Sequence, residues 1–369
     1  MIRILVFGMT ENPGGVESFL LNYFRNIDRN VIQFDFLCNS HNLVAYEDEL
    51  LALGARTFHI TARSKNRKEY KKELKAVFNE HASEWHAIWV NVSSLANIDY
   101  LIIAKQYGIK KRIIHSHNSQ NMDSKLRGML HKWNKTQVGK YATDFWACSE
   151  DAAKWFYNED LLQKVVIIHN AIDVERVAFD EKKRRDVRTK VNVSDEEYVI
   201  GNVGRLHFQK NQSFILDIFY EFTQKRPCAK LVFVGQGEDE IPLKEKCKTL
   251  GLKDKVVFAG VQSNVDAWLS AFDLFLFPSV FEGLSIAALE AQANGVPFLA
   301  SRGVVPEEVR MNDNFVFYSL DESPMKWAQK IEEMQNYKRL DHEKIRQNFI
   351  EKGYEIHHEV NKLATLLSE

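Results

Sequence analysis

Short runs of apolar residues alternate with longer amphipathic stretches along the whole chain. The runs are rich in β-branched and aromatic residues, which is typical of strands that are buried on both faces. Because helix-length segments separate the runs, the pattern predicts an α/β fold with two doubly wound parallel sheets. The first half predicts strands near Ile2–Phe7, Ile32–Leu37, Arg56–Ile60, Ala87–Val92, Arg112–His115, Asp144–Cys148 and Val165–Ile168. The second half predicts strands near Tyr198–Val203, Lys230–Val234, Val256–Phe258, Leu274–Phe277, Phe298–Ala300 and Phe315–Tyr318.

A highly charged segment without a clear strand separates the two halves, at residues 171–197. It contains the basic run Lys182–Arg185, which we interpret as part of a solvated linker rather than a nucleic-acid patch, because it is isolated in a neutral chain. The 369 residues then divide into a first domain at 1–175, a second domain at 176–350 and a C-terminal helical segment at 351–369.

Composition and charge exclude several classes of protein. The net charge of −1 does not favour nucleic acid as a partner. The first 170 residues hold 22 Lys and Arg against 18 Asp and Glu, and the remainder holds 27 against 32, so the halves are expected to bind different partners. The four cysteines form no CxxC pair, which fits a reducing compartment. No apolar run approaches the length of a membrane span, so we expect a cytoplasmic protein or one that is peripheral on a membrane.

Two glycine pairs follow predicted strands. Gly14 and Gly15 lie in the turn between the first strand and a helix that begins near Val16. Glycines at a helix start let main-chain N–H groups approach a phosphate closely. Gly235 and Gly237 directly follow another strand. Each pair fits a nucleotide contact, and each also fits an ordinary tight turn.

Two cations follow the first strand of the second half. That strand ends at Gly204, and Arg205 and Lys210 come next in the loop. Open α/β sheets bind ligands at the carboxyl ends of their strands. A planar guanidinium and an ammonium together suit a diphosphate, so this loop predicts a phosphate site.

His115 and His117 lie at the end of a predicted strand in the first half. Two residues that are two positions apart on a strand point the same way. The HxH pattern also occurs in zinc sites, but the sequence offers no third ligand with a recognisable spacing. A histidine near a strand end is more often structural, and the alternative is a polar group at a ligand site.

Two glutamates flank one predicted strand-to-helix turn, in the stretch FEGLSIAALEAQANGVP. Glu282 precedes the helix, and Glu290 lies inside it among apolar residues. A buried carboxylate needs hydrogen-bond donors, and the two hydroxyls of a ribose supply them. The competing interpretation is a glutamate that pairs with a nearby arginine or a main-chain N–H.

Together, these motifs resemble the retaining glycosyltransferases of family 4, of the bacterial surface-polysaccharide type, which have the GT-B fold. The resemblance covers nearly the whole chain. It implies two Rossmann-like domains that face each other across a cleft, with a C-terminal helix that returns to the first domain. The motifs are E-x7-E at Glu282 and Glu290, GR with a following lysine at Arg205 and Lys210, the Gly14-Gly15 turn, VGQG at Val234–Gly237, HNAID at His169–Asp173 and HSHN at His115–Asn118.

The resemblance implies a nucleotide-sugar donor, with uridine diphosphate as the expected nucleotide, bound mainly by the second domain. Arg205 and Lys210 would neutralise the diphosphate, Glu290 would hold the ribose, and Glu282 would lie against the transferred sugar. His117 would contact a sugar hydroxyl near the reacting centre, with His115 as the competing choice. Further donor contacts are implied at Gly14, Gly15, Gly204, Gly235, Gly237, Gly283 and Leu284, and additional candidates are Asn118 and Asn170.

The same resemblance alone implies retention of anomeric configuration. It also implies that no metal or other cofactor is needed, because two cations and a glycine turn would stabilise the leaving group. The chain has no Asp-x-Asp triplet that would hold a metal. The acceptor would be a saccharide or a lipid-linked sugar bound by the basic first domain. The basic stretch Arg63–Phe78 has apolar positions at Leu74, Val77 and Phe78. It is either a solvated helix or a helix that lies on an anionic membrane.

Three other functions compete with a glycosyltransferase as interpretations of the sequence. An NAD(P)-linked oxidoreductase requires GxGxxG after the first strand, and the chain has GMTENPGG there instead. A GT-B nucleotide-sugar epimerase would be recognised by its products with a donor and no acceptor. A non-catalytic partner subunit that binds nucleotide sugars is disfavoured by the complete set of charged motif residues.

Overall fold

The computed structural model describes residues 1–118 and 124–369, and these form two compact units. The first unit contains Met1–Ala171 together with Ile356–Glu369, and the second contains Ile172–Glu355. Each unit is built around a parallel sheet with helices packed on it, as the alternating sequence pattern predicts.

Within the described residues, the first unit holds a seven-stranded parallel sheet with strand order β3-β2-β1-β4-β5-β6-β7. The strands are β1 (Ile2–Phe7), β2 (Ile32–Cys38), β3 (Arg56–His59), β4 (Trp85–Val92), β5 (Lys111–Ser116), β6 (Asp144–Ala147) and β7 (Val165–Ile167). The helices are α1 (Gly15–Asn26), α2 (Glu47–Ala52), α3 (Arg67–His81), α4 (Asp99–Gln106), α5 (Lys125–Lys135), α6 (Glu150–Phe156) and α7 (Glu159–Leu162).

The second unit holds a six-stranded parallel sheet, again counted over the described residues, with strand order β10-β9-β8-β11-β12-β13. The strands are β8 (Val199–Val203), β9 (Lys230–Val234), β10 (Val256–Phe258), β11 (Leu274–Phe277), β12 (Phe298–Ser301) and β13 (Phe315–Tyr318). The helices are α8 (Glu181–Lys190), α9 (Gln212–Thr223), α10 (Glu240–Thr249), α11 (Val265–Ala271), α12 (Ile286–Ala293), α13 (Pro324–Met334) and α14 (His342–Glu351).

The C-terminal helix, α15 (Ile356–Ser368), packs on the first unit. Its apolar residues Ile356, Val360, Leu363 and Leu367 are buried in the same core as residues of α1 and β1. Lys362 Nζ donates a hydrogen bond to the main-chain carbonyl at the end of β7, at 2.9 Å. The predicted return of the last helix to the first domain is therefore confirmed.

Both sheets reverse their strand order at one point, between β1 and β4 in the first unit and between β8 and β11 in the second. Helices on opposite faces leave the sheet at such a reversal, which opens a crevice outside the carboxyl ends of the two strands. The topology therefore selects the loops after β1, β4, β8 and β11 as candidate ligand loops.

One sequence interpretation needs correction. The charged segment at 171–197 is not a solvated linker, because it contains α8, whose Arg188 is only 1% exposed. Arg184 and Arg188 each lie within 2.7 Å of an oxygen of Asp273, so their charges are satisfied inside the second unit. Burial lowers the pKa of Arg188, and the nearby Asp273 carboxylate opposes that shift.

The sequence left the basic helix α3 open between a solvated helix and a helix that lies on a membrane. Leu74 and Phe78 are buried in the core of the first unit. Val77 is half-buried and packs against the same core. The apolar side of this helix is therefore used in folding and is not available to a membrane surface.

Candidate active site

The loop after β8 lies against the turn after β11, as the strand order requires. Lys210 Nζ lies 2.6 Å from Glu282 Oε1, and the two side chains are only 15% and 4% exposed. The Lys210 ammonium also lies 4.9 Å from the centre of the Phe277 ring. Burying an ion pair costs more free energy of desolvation than it commonly returns. The pair lies at the carboxyl edge of the sheet, where folds of this kind bind their ligands.

Three hydrogen bonds fix these two loops against each other. Gln209 Nε2 donates to the carbonyl of Phe281 at 3.0 Å, and the amide of Val280 donates to the carbonyl of Gln209 at 2.9 Å. Asn211 Nδ2 donates to the carbonyl of Pro278 at 3.0 Å. Because main-chain atoms on the β11 side are held directly, the charged pair is positioned before any ligand arrives.

Arg205 lies in the same loop but pairs with a different residue. Its Nε and Nη2 lie 3.0 and 3.2 Å from the two carboxylate oxygens of Glu238, and His207 Nε2 is 3.3 Å from the same carboxylate. Hydrogen bonding by its own main-chain amide, followed by the charge of Arg205, lowers the pKa of Glu238. Exposed ion pairs contribute little stability, so Arg205 can exchange Glu238 for a phosphate at small cost.

The glycines that follow β8 and β9 are needed for the local main-chain structure. Gly204 and Gly235 have φ of +153° and +132°. A Cβ on Gly235 would lie 2.1 Å from the carbonyl oxygen of Gly204, and one on Gly237 would lie 2.1 Å from that of Leu206. The main chains of the loops after β8 and β9 are therefore in direct contact. The predicted donor contacts of these glycines stay predictions.

Glu290 lies in α12, which ends before Gly295 as predicted. Arg176 Nη2 lies 3.5 Å from Glu290 Oε1, and the glutamate side chain is 16% exposed. The arginine pairing left open by the sequence is therefore present. Because this contact is long, the Glu290 carboxylate stays partly accessible and is able to accept further hydrogen bonds.

The turn before α12 also carries the predicted residues Gly283 and Leu284. A Cβ on Gly283 would meet nothing within 4 Å, so the space beside this glycine is open. Leu284 is half-buried against two core clusters of the second unit. Leu284 thus has a packing role. Its predicted contact with the donor stays a prediction.

At the carboxyl edge of the first sheet, His115 and His117 lie together as predicted, with ring centres 4.2 Å apart. Aromatic rings surround them, since Phe19 of α1 contacts both and Trp89 stacks on His115 at 6.0 Å. His115 is completely buried, and neither of its ring nitrogens has a hydrogen-bond partner among the described residues. His117 is half-buried at the strand end.

Both histidines are held neutral. Burial lowers the pKa of His117 to about 3. Burial, followed by the neighbouring His117, lowers the pKa of His115 well below its usual range. His117 Nε2 lies 2.9 Å from Asn91 Oδ1, so we assign the ring proton to Nε2 and leave Nδ1 as an acceptor. Of the two competing choices, only His117 combines partial exposure with an oriented ring.

The Gly14-Gly15 turn begins α1, with Gly14 as the N-cap residue. Thr10 Oγ1 donates to Glu17 Oε1 at 2.6 Å, and Glu17 is only 6% exposed. Burial raises the pKa of Glu17 despite the hydrogen bonds that Thr10 and nearby amides donate. A carboxylate at this helix start competes with an anionic ligand for the positive end of the helix dipole.

Two further candidates lie near the first edge. The main-chain carbonyl of Asn118 accepts a hydrogen bond from Ser116 Oγ at 3.3 Å. Asn170 is 7% exposed, and its Oδ1 has no hydrogen-bond partner in the described part of the chain. A buried amide oxygen without a partner is costly, and a ligand hydroxyl would satisfy it. Residues 119–123, which directly follow the HSHN motif, lie outside the described residues.

The residues that position the predicted site residues were not predicted from the sequence. Asn91 directly precedes the last residue of a predicted strand, and this polar residue at a strand end is a usable signal. Arg176 and Glu238 lie in loops within or just beyond recognised motifs, but only the tertiary structure brings them to Glu290 and Arg205. Glu17 occupies the third helical position after a glycine cap, where a carboxylate reaches back to the helix start.

The described residues contain neither a membrane-spanning helix nor a metal-binding cluster. No helix there is long and apolar enough to cross a membrane. In the same residues, no group of three or more His, Cys, Asp or Glu side chains is arranged to hold a metal ion.

The chain is similar to known glycosyltransferases. Residues 183–356 match the family model of glycosyl transferases group 1. The putative glycosyltransferase EpsF of Bacillus subtilis is 26% identical over 364 residues, which is 96% of this chain and 93% of EpsF. The UDP-Gal:alpha-D-GlcNAc-diphosphoundecaprenol alpha-1,3-galactosyltransferase of Escherichia coli is 26% identical over 299 residues, or 78% of this chain and 76% of that enzyme.

The crystal structure of Anabaena HepE in complex with UDP and glucose superposes with a TM-score of 0.79 at 17% identity, and it covers all of both chains. At that identity the likeness shows the fold. The chain is a GT-B glycosyltransferase, and its second unit carries the match to glycosyl transferases group 1.

Proposed function

We propose that this chain transfers a hexosyl group from a UDP-sugar to a saccharide or lipid-linked acceptor, with retention of anomeric configuration and without a metal, as a family 4 enzyme. The observation that carries the proposal is the buried Lys210–Glu282 pair at the carboxyl edge of the second sheet. A fold of this kind binds its ligand at that edge, and an oriented ammonium there suits a diphosphate.

The donor diphosphate would lie over the loop after β8. As the bond between the anomeric carbon and the diphosphate oxygen lengthens, its electron pair moves to the leaving group. Lys210 and Arg205 stabilise that negative charge at the moment it develops. Glu282 holds the Lys210 ammonium in place and presents its second carboxylate oxygen to a hydroxyl of the transferred sugar.

Retention is explained by departure and attack on one face of the sugar. The acceptor hydroxyl oxygen bonds to the anomeric carbon on the face that the diphosphate leaves, and the hydroxyl proton passes to a diphosphate oxygen. No covalent glycosyl-enzyme is needed, so no carboxylate nucleophile is required. The neutral His117 supports this chemistry because its Nδ1 accepts a hydrogen bond from a sugar hydroxyl without adding a positive charge.

The nucleotide and the acceptor are proposed from different observations. Glu290, with a partly accessible carboxylate, would accept hydrogen bonds from the two ribose hydroxyls. The Escherichia coli relative is named for a UDP-sugar donor and a diphosphoundecaprenol acceptor, and this supports UDP and a lipid-linked sugar here. The reaction would then belong to the synthesis of a cell-surface glycan and would take place at the cytoplasmic side of a membrane.

The first experiment is thermal unfolding of wild type and Glu290→Ala with UDP, GDP, ADP and NAD, in the presence of EDTA. A ligand at a hundred times its dissociation constant adds about 2.7 kcal/mol to the stability, which raises Tm by several degrees. We expect a rise with UDP in the wild type and little rise in Glu290→Ala. A rise with NAD alone would contradict the proposal.

A matched control separates the site from general charge effects. Lys183 Nζ lies 2.6 Å from Asp266 Oδ2, the same length as the site pair, but this pair joins α8 and α11. Lys183→Met should keep the UDP-dependent rise, and Lys210→Met should lose it. NMR of the product of the wild-type reaction tests retention, since an inverted anomeric centre would exclude that part of the proposal.

A further inference from the structure

Helix α5 (Lys125–Lys135) exposes large apolar side chains on one face. Leu126, Met129 and Trp133 are 67%, 68% and 67% exposed, and Leu130 is 39% exposed. The spacing of three, four and seven residues places all four side chains on the same side of the helix. Single exposed apolar residues are ordinary, but a contiguous set on one helix face indicates an interaction surface.

The opposite side of α5 is held to the first unit by polar contacts. His131 Nδ1 accepts a hydrogen bond from the amide of Leu95 at 3.0 Å, and Asn134 Nδ2 donates to the carbonyl of Leu95 at 2.6 Å. The His131 ring also stacks on Trp155, with centres 4.1 Å apart. The usual orientation of an amphipathic helix is therefore reversed, since its polar and histidine side faces the protein and its apolar side faces solvent.

Basic residues flank the exposed apolar face. Lys125 and Lys132 lie along one border of the face, and both are exposed. The helix contains no acidic residue. This charge distribution is complementary to an anionic lipid surface, in which lysine and arginine meet headgroups while leucine and tryptophan enter the boundary of the acyl chains.

We propose that α5 is the membrane-binding surface of this protein and that its partner is an anionic lipid bilayer. The helix lies parallel to the membrane, with Leu126, Met129, Leu130 and Trp133 inserted below the headgroups. Because α5 is hydrogen-bonded to Leu95 in the loop after β4, binding holds the carboxyl edge of the first sheet near the lipid. The proposal rests on the exposed face and its charge and does not depend on the transfer reaction.

Co-sedimentation of the full chain with vesicles tests it. We expect binding to vesicles of phosphatidylglycerol mixed with phosphatidylcholine, and little binding to phosphatidylcholine alone. The double variant Leu126→Glu with Trp133→Glu should bind at least about tenfold more weakly, because two apolar side chains no longer insert. Lys125→Gln and Lys132→Gln should each weaken binding about fivefold, with less dependence on salt than in the wild type.

Ile241→Glu is the matched control, since Ile241 is 76% exposed on α10 of the second unit. It should bind vesicles like the wild type. Equal vesicle binding by the wild type and the α5 double variant would overturn the proposal, and so would absence of binding by the wild type. A wild-type dimer on gel filtration that the double variant abolishes would assign the face to a second copy instead. UDP binding measured on the same variants shows independently whether the donor site is intact.

Discussion

The two sheets share one topology but differ in the chemistry at their carboxyl edges. The second sheet presents ion pairs, with Lys210 on Glu282, Arg205 on Glu238 and Arg176 on Glu290. The first sheet presents neutral groups, namely two uncharged histidines and Asn91 within aromatic surroundings. A Rossmann-like sheet provides the position of a site, and the residues after its strands decide which ligand the site takes.

This difference suits the two chemical tasks of the sugar transfer that we propose. A diphosphate carries charge that increases as it leaves, so cations near it stabilise the transition state more than the ground state. Sugar hydroxyls carry no charge, so neutral acceptors and donors recognise them without a large desolvation cost. The four predictions below test that division.

The largest effect is expected at Lys210. Lys210→Met should lower kcat about 100- to 1,000-fold, as removal of a transition-state donor does in other sites. It also leaves Glu282 unpaired and buried, so the free energy of unfolding should fall by about 3 kcal/mol. Steady-state kinetics and denaturant unfolding measure the two effects. The double variant with Glu282→Gln should recover stability but not activity, and recovery of both would show that the pair is only structural.

Glycines at the second edge divide into structural and accessible ones. Gly235→Ala should lower the free energy of unfolding by about 3 kcal/mol, because its Cβ would meet the Gly204 carbonyl oxygen at 2.1 Å and its φ is positive. Gly283→Ala, which meets nothing within 4 Å, should stay within about 0.5 kcal/mol of wild type. Urea unfolding of both variants checks this, and a large loss in Gly283→Ala would contradict the open space.

The neutral histidines predict a dependence of stability on pH. Because the pKa of His117 is about 3 when folded and about 6.5 when unfolded, the unfolded chain binds the extra proton between these values. The stabilisation is complete above pH 6.5 and decreases as the pH falls, by about 2 kcal/mol between pH 8 and pH 5. His117→Asn should remove this contribution. The measurement is the slope of the unfolding free energy against pH in wild type and in His117→Asn. Equal slopes would contradict the lowered pKa of His117.

The smallest effect is expected at Glu290. Glu290→Gln should weaken UDP binding about tenfold, since the acceptor in the proposed hydrogen bonds to the ribose loses its charge. The free energy of unfolding should change by less than about 1 kcal/mol, because the contact to Arg176 is long and partly exposed. Calorimetric titration with UDP measures the affinity. Arg176→Gln is the matched control and should bind UDP nearly as tightly as wild type.

Much of the fold was predictable because strand formation depends on local patterns. Each predicted strand is present, and β1, β9, β10, β11 and β13 have the predicted bounds. The others differ at their ends by one or two residues, where pairing with neighbours decides the boundary. The interpretation of residues 171–197 failed for a nonlocal reason, because Arg184 and Arg188 are stabilised by Asp273, which is distant in sequence.

The sequence by itself determined the alternation of strands and helices, the loops that follow the strands, and the residue types in those loops. These features depend on periodicity and on neighbours along the chain. Only the tertiary structure decided which charges meet, which glycines support a close approach, and that both histidines are neutral. It also decided that α3 buries its apolar side while α5 exposes one. Pairing, burial and exposure depend on groups far apart in sequence, so no local pattern contains them.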